Sequence, residues 1–183
     1  HMPTIELLKP YEHFDGTRRL LSDLKVLLSS AGLSRLRIAV AFAKAGPLVK
    51  LSPALDAWRA AGKSSQAIIG LSHKGTSQQA LELALMVFDE VFVCLPGSAA
   101  SFHPKIYLFS GTSEAVILYG SHNLTVGGTE TNFEAGIRLG LSLPADGPLL
   151  AEAESALDAL LPPSLIATKP LDATLLKKLI EEE

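Results

Sequence analysis

Short apolar, β-prone runs alternate with helix-periodic stretches through most of this chain, and that alternation restricts the fold more than any other feature. RLRIAVAFA (35–43), QAIIGLS (66–72), EVFVCL (90–95), KIYLF (105–109) and AVILYG (115–120) are rich in Val, Ile and Phe and are bounded by Gly, Ser and Pro. Thr4–Leu8 reads as a further short strand. Between Thr17 and Ser29, Leu20, Leu21, Leu24, Leu27 and Leu28 fall on one helical face. A second helix is expected over Pro53–Ala61, begun by Ser52-Pro53, because proline is at home in a first helical turn. A third follows in GTSQQALELAL (75–85), with Thr76 or Ser77 as its N-cap. PGSAAS (96–101) and SGTSE (110–114) read as loop and turn. Strand, helix, strand, helix, strand predicts an α/β layer fold.

LPADGP (143–148) marks the expected end of the body at residue 144. Beyond it, residues 145–183 read as a tail with helices near 148–161 and 172–182, joined by LPPSLIATKP. The tail carries eight acids and three bases, a net of −5, while residues 1–144 carry a net of +2. The whole-chain charge of −3 therefore understates how readily the body can meet a phosphate. With 183 residues and 48% hydrophobic content the chain can build a proper core. No run approaches the roughly 18 apolar residues of a membrane span, and no charged-then-apolar leader precedes the body, so a cytoplasmic location is expected. The lone Cys94 has no disulfide partner in the chain and reads as a small buried side chain. His1-Met2 suggests that the natural start is Met2, and the unpunctuated ending LDATLLKKLIEEE suggests a longer protein.

The chemistry gathers around SFHPKIYLFSG (101–111). Side chains alternate along a strand, so His103 and Lys105, two apart, point the same way. Ser121 and Asn123 in YGSHN are also two apart, and Gly120 before them lets a ligand or another backbone come close. Glu134 stands in TNFEAG, ahead of another expected strand, with Glu130 as a nearby alternative. If these strands are neighbours, an imidazole, an ammonium, a hydroxyl, an amide and a carboxylate meet at one strand end, without a metal cluster. The set suits phosphodiester cleavage. Lys105 and Asn123 can donate to non-bridging phosphate oxygens. A neutral His103 can attack phosphorus when a carboxylate holds its other nitrogen, and Glu134 is the candidate.

HPK (103–105), GSHN (120–123) and Glu134, eleven residues past Asn123, resemble one half of the phospholipase D superfamily signature, H-x-K-x4-D, then G-S-x-N, then an acid. IIGLSHKGTSQQALEL and FHPKIYLF…AVILYGSHNLTVGGTETNFEAG resemble, more narrowly, the nuclease domains of metal-independent restriction endonucleases and related bacterial DNA-defence proteins. The resemblance spans about Ile38 to Leu141. It implies a phospholipase D-like mixed central β-sheet flanked by helices, with 1–144 as the nuclease domain. It also implies DNA as substrate, no cofactor and no metal, and catalytic roles for His103, Lys105, Ser121, Asn123 and Glu134. One departure is Ser110, which stands where the signature has Asp. The superfamily builds one active site from two half-signatures and this chain has one, which implies a homodimer sharing a site. One His103 would form a phosphohistidine, and the other would protonate the leaving oxygen and then activate water.

Further substrate contacts are expected from His73 and Lys74 ahead of a helix N-terminus, and from Lys44, His122 and Arg138. His122, in the variable position of G-S-x-N, should face away from Ser121 and Asn123. Tyr107, Phe109 and Trp58 read as core. No recognition helix or zinc module is present to read sequence, so specificity is assigned to a separate domain or subunit. Two other readings stand beside the nuclease: a phosphodiesterase acting on a phospholipid or another small phosphodiester, and a dimerisation or DNA-binding module whose activity lapsed with Ser110.

Overall fold

The computed structural model describes residues 2–98 and 100–182. Eight strands form one sheet: β1 (Thr4–Leu8), β2 (Arg35–Val40), β3 (Ser64–Gly70), β4 (Glu90–Cys94), β5 (Lys105–Ser110), β6 (Glu114–Gly120), β7 (Gly136–Ser142) and β8 (Thr168–Pro170). Their order across the sheet is β1-β7-β6-β5-β2-β3-β4-β8. The sheet is mixed. β2, β3 and β4 run parallel, joined by α3 (Ala45–Ala60) and α4 (Gln78–Val87), and the remaining pairs are antiparallel. The β5–β6 pair is antiparallel because a short link across SGTSE makes a hairpin, while parallel neighbours need a helical crossover.

Both faces are covered. On one, Leu36, Ile38 and Val40 of β2 meet leucines of α2 (Leu20–Leu28), α3 and α4, with Tyr107 and Phe109 of β5 in the same cluster. On the other, Ala39, Ile68, Ile106, Leu108 and Ile117 meet Leu157 of α5 (Gly147–Asp158). Arg37 lies on this second face, 2% exposed, and its guanidinium is taken by Gln66 of β3 and by Glu154 and Asp158 of α5. A charge so deeply buried is tolerable only with partners of this kind, and Arg37 thereby ties α5 to the sheet.

Three elements depart from the sequence reading. The helix expected from Pro53 begins eight residues earlier, at Ala45, and carries Pro53 inside it. Proline cannot donate to the carbonyl of Val49, and the Ser52 hydroxyl does so instead at 2.9 Å, which makes the interior position affordable. The segment 145–183 has its two expected helices, α5 and α6 (Ala173–Glu181), but between them β8 pairs with β4 and closes that edge of the sheet. The N-terminal sequence also forms a short helix, α1 (Pro10–Asp15), that the apolar spacing did not signal.

Candidate active site

The ends of β2, β3 and β6 and the starts of β5 and β7 lie along one side of the sheet, as the registers Val40↔Lys105, Val40↔Ile69 and Gly120↔Gly136 require. Beyond them the pairing frays into a site. Ala41 N–H still donates to Pro104 O at 2.9 Å, which seats HPK beside the end of β2. Past Gly120 the chain first stays with β7, as Ser121 N–H donates to Ala135 O at 2.9 Å. It then crosses the mouth of β5 and bridges to β2. Leu124 N–H donates to Phe42 O at 3.1 Å, and Lys44 N–H to Leu124 O at 2.9 Å. This crossing brings Asn123 from the β6 side to the β2 side, over His103 and Lys105.

Glycines permit the crossing. A Cβ on Gly120 would collide with the Ala135 carbonyl, so this glycine serves the close approach of β7. A Cβ on Gly128 would collide with the backbone of Asn123. Gly128 belongs to a π-helical turn, Gly127–Thr131, which presses on Asn123 from outside; such turns recur at functional sites.

The five signature side chains lie at these strand ends, with His103 in contact with Lys105, Ser121 in contact with Glu134, and Asn123 on the end of β2. Lys105 opens β5, 9% exposed, and its Nζ lies 2.6 Å from Nδ1 and 3.0 Å from Nε2 of His103. Burial pushes the Lys105 ammonium below its usual pKa, and the Glu134 carboxylate works against that shift. Glu134 is itself 8% exposed. Its Oε2 accepts from the Ser121 hydroxyl, and its Oε1 accepts from Asn132 Nδ2 at 3.2 Å. Ser121 Oγ in turn accepts from Ala135 N–H at 3.0 Å. Asn123 Oδ1 accepts from Phe42 N–H at 3.2 Å, so the amide is turned with its Nδ2 hydrogens toward another acceptor. Glu130, the alternative carboxylate, pairs with Lys50 at 2.6 Å and belongs to the outer surface of the π-helical turn. Glu134 does not hold His103 directly: its oxygens are taken by Ser121 and Asn132, and the imidazole meets Lys105 and, edge-on, the ring of Phe42. Among the described residues no three His, Cys, Asp or Glu side chains gather as a metal site would need.

Of the outer candidates, Lys44 and His73 lie on the rim. Lys44 caps α3 beside Asn123. His73 Nε2 is 2.8 Å from Ser101 Oγ, which ties the β3–α4 loop to the strand entry of His103. His73 and Lys74 both have left-handed backbone, φ 57° and 53°, an uncommon conformation for two successive non-glycine residues and one that collects at functional sites. Lys74 lines a cleft between α4 and α6 with Leu81 and Leu176. Two expected contacts fall away. Arg138 is held by Glu6 of β1 at 2.8 Å, one strand step inside the edge, because the β1–β7 register sets the two side by side. His122 is 4% exposed and packs edge-on against His13 of α1, ring centres 5.1 Å apart, so it cannot touch substrate. Its carbonyl accepts from the buried Tyr107 hydroxyl at 3.0 Å, which props the Ser121–Asn123 segment from below, and the same burial raises the Tyr107 pKa.

Burial, and after it the neighbouring His13, pulls the His122 pKa down from 6.5 to about 4. The unfolded chain then binds the proton more readily than the folded one. Stability is full above about pH 6.5 and declines as pH falls toward 4, by roughly 3 kcal/mol in total from this group. Urea unfolding at stepped pH should show this slope in the wild type and a flatter one in His122→Leu.

No protein-family model matches the sequence, and no curated protein matches it. Solved structures do. NucT from Helicobacter pylori superposes with TM-score 0.62 at 17% identity, over 86% of this chain and 94% of its own. Nuc from Salmonella typhimurium, a phospholipase D family member, superposes with TM-score 0.61 at 14% identity, over 94% of this chain and 100% of its own. The fold is that of the phospholipase D family. A phosphatidylserine synthase from Haemophilus influenzae shares it with TM-score 0.57 at 12% identity, over 98% of this chain and 44% of the synthase. The phospholipase D fold thus accounts for the mixed sheet, its helical layers and the tail, and it places the H-x-K and G-S-x-N stretches of this chain at adjoining strand ends.

Proposed function

We propose that this chain is a metal-independent phosphodiesterase that cuts DNA through a phosphohistidine on His103, as the nuclease part of a bacterial restriction or DNA-defence protein. The observation that carries the reading is the meeting of His103, Lys105, Ser121, Asn123 and Glu134 at one sheet edge from three separate strand ends. His103 attacks phosphorus, forming a P–N bond as the P–O bond to the leaving strand breaks. Lys105 and the Asn123 amide stabilise the charge building on the non-bridging oxygens. Glu134, fixed by Ser121, balances Lys105 and the cation that the attacking imidazole becomes. Water then cleaves the P–N bond and restores His103.

The leaving oxygen needs a proton, and the water needs a base. The other exposed imidazole near this edge, His73, is taken by Ser101, so His103 of the partner subunit is assigned both tasks across a two-fold axis. The rim favours such pairing. Tyr119, Val126 and Phe133, within three residues of Ser121, Asn123 and Glu134, are 50%, 42% and 62% exposed, an apolar border suited to burial against a second copy. Loss of the signature Asp does not weaken the reading. Ser110 ends β5, paired with Arg35 and Ala115, and five residues of strand, about 17 Å, separate it from Lys105. An acid there would not reach the phosphate. Among the described residues no helix is long and apolar enough to cross a membrane.

Supercoiled plasmid should be nicked or cut by the purified protein in excess EDTA, with liposomes of phosphatidylglycerol left intact. Complete loss of cleavage in EDTA contradicts the mechanism, and turnover of the liposomes alone transfers it to the lipid reading.

A further inference from the structure

Glu134 has two holders, and only one belongs to the signature. Ser121 grips Oε2; Asn132, two residues upstream of Glu134, grips Oε1 through Nδ2 at 3.2 Å. Asn132 is fixed along its own length. Its N–H donates to Gly127 O at 2.9 Å, closing the π-helical turn. Its side chain lies over Gly127, where a Cβ would strike the amide. Its carbonyl accepts from His13 Nδ1 at 2.7 Å, across 119 residues of sequence. A carbonyl can only accept, so His13 carries its proton on Nδ1 and is held in one tautomer. His13 is 2% exposed, and its Nε2 is buried without a partner. A buried polar atom left unpaired is costly, and replacing the ring by a hydrocarbon would remove that cost. Among the described residues, the hydrogen bond of the His13 side chain is the one that anchors Asn132.

We propose that Asn132, anchored through its carbonyl by the buried His13, is a positioning residue that sets the Glu134 carboxylate against Lys105 for the chemical step. The proposal rests on the reading of Glu134 as part of the site. Ser121 alone would hold one oxygen and leave the carboxylate free to turn about that bond. The Asn132 amide removes that freedom, and His13 transmits the placement of α1 to the loop ahead of β7. The π-helical turn between Asn123 and Asn132 makes the same span serve both signature strands: Gly128 backs Asn123 at one end and Asn132 steers Glu134 at the other.

The test is steady-state hydrolysis of bis-para-nitrophenyl phosphate by the full chain in EDTA. Asn132→Asp keeps the size of the side chain, removes the donor and sets a second carboxylate beside Glu134. It should lower kcat about tenfold to a hundredfold, the range for a hydrogen bond to a charged group, with KM changed less than about twofold. His13→Leu should lower kcat in the same way with the fold retained, while His13→Asn, which offers an amide donor close to the place of Nδ1, should restore most of it. In a double-mutant cycle the His13→Leu and Asn132→Asp losses should overlap rather than add, since both act through one contact. If Asn132→Asp and His13→Leu both keep wild-type kcat while His103→Ala abolishes turnover, Asn132 positions nothing and the proposal falls alone. Equal losses in His13→Asn and His13→Leu overturn the anchoring role. If His103→Ala turns over as fast as the wild type, the reading of the site falls and this proposal with it.

Discussion

His103→Ala lowers the rate of phosphodiester cleavage by about 10⁴-fold or more and leaves the fold intact. The size follows from the two tasks assigned to this one side chain. Removing a nucleophile forfeits the covalent route, and removing a positioned acid or base costs a further 10²–10⁴-fold or so. Stability should change by no more than about 0.5 kcal/mol, because His103 is exposed at the mouth of β5, where its ring meets Lys105 and Phe42. Mixing gives the sharper result. Where each dimer has one shared site needing both imidazoles, equal amounts of wild type and His103→Ala, exchanged to equilibrium, retain about a quarter of the activity. Two independent sites would retain about half.

Lys105→Met lowers kcat/KM by about 10²–10³-fold, the loss that follows removal of one preorganised donor to a developing oxyanion. Here activity and stability part company. The ammonium is held below its ordinary pKa by burial, so the folded state bears a cost for keeping it charged, which the Glu134 carboxylate only partly offsets. Methionine of similar reach relieves that cost, and the variant should melt no lower than the wild type. Lys105→Arg should not rescue activity, since a planar fork cannot occupy the place of a point charge 2.6 Å from the His103 ring. In the wild type the same depressed pKa brings the alkaline fall of activity below the pH at which a free lysine titrates, because only the protonated amine brings a positive charge to the phosphate.

Much of this architecture was legible in the sequence. Runs such as RLRIAV and KIYLFS declare strands because they are buried on both faces, and Ser77 declares the start of α4 because its hydroxyl accepts from Ala80 N–H. The misreadings have local causes. Pro53 looked like a first-turn proline because the serine that repairs its missing bond also precedes helix starts. β8 is three residues long and ends on a proline, so only its pairing with β4 makes it a strand. α1 spans six residues, too few to show a period.

The site divides in the same way. The two-residue spacings picked out the right residues, but His103 precedes β5 and Ser121 and Asn123 follow β6, so strand alternation does not fix their sides: Ser121 turns to Glu134 and Asn123 to the end of β2. Long-range partners were not readable. Arg138 is withdrawn by Glu6 through the β1–β7 register, His122 is sealed by His13 from α1, and Asn132 gains its meaning only where His13 reaches its carbonyl. The signal that could have found Asn132 is its place two residues before the acid in TNFEAG.

The most direct measurement is capture of the covalent intermediate. Oligonucleotide duplex labelled at its phosphates, incubated with the protein in excess EDTA and quenched by denaturant at alkaline pH, where a phosphohistidine survives, should yield a DNA–protein adduct that peptide mass spectrometry places on His103. DNA cut under these conditions with no adduct, or with the adduct on another residue, would contradict the account.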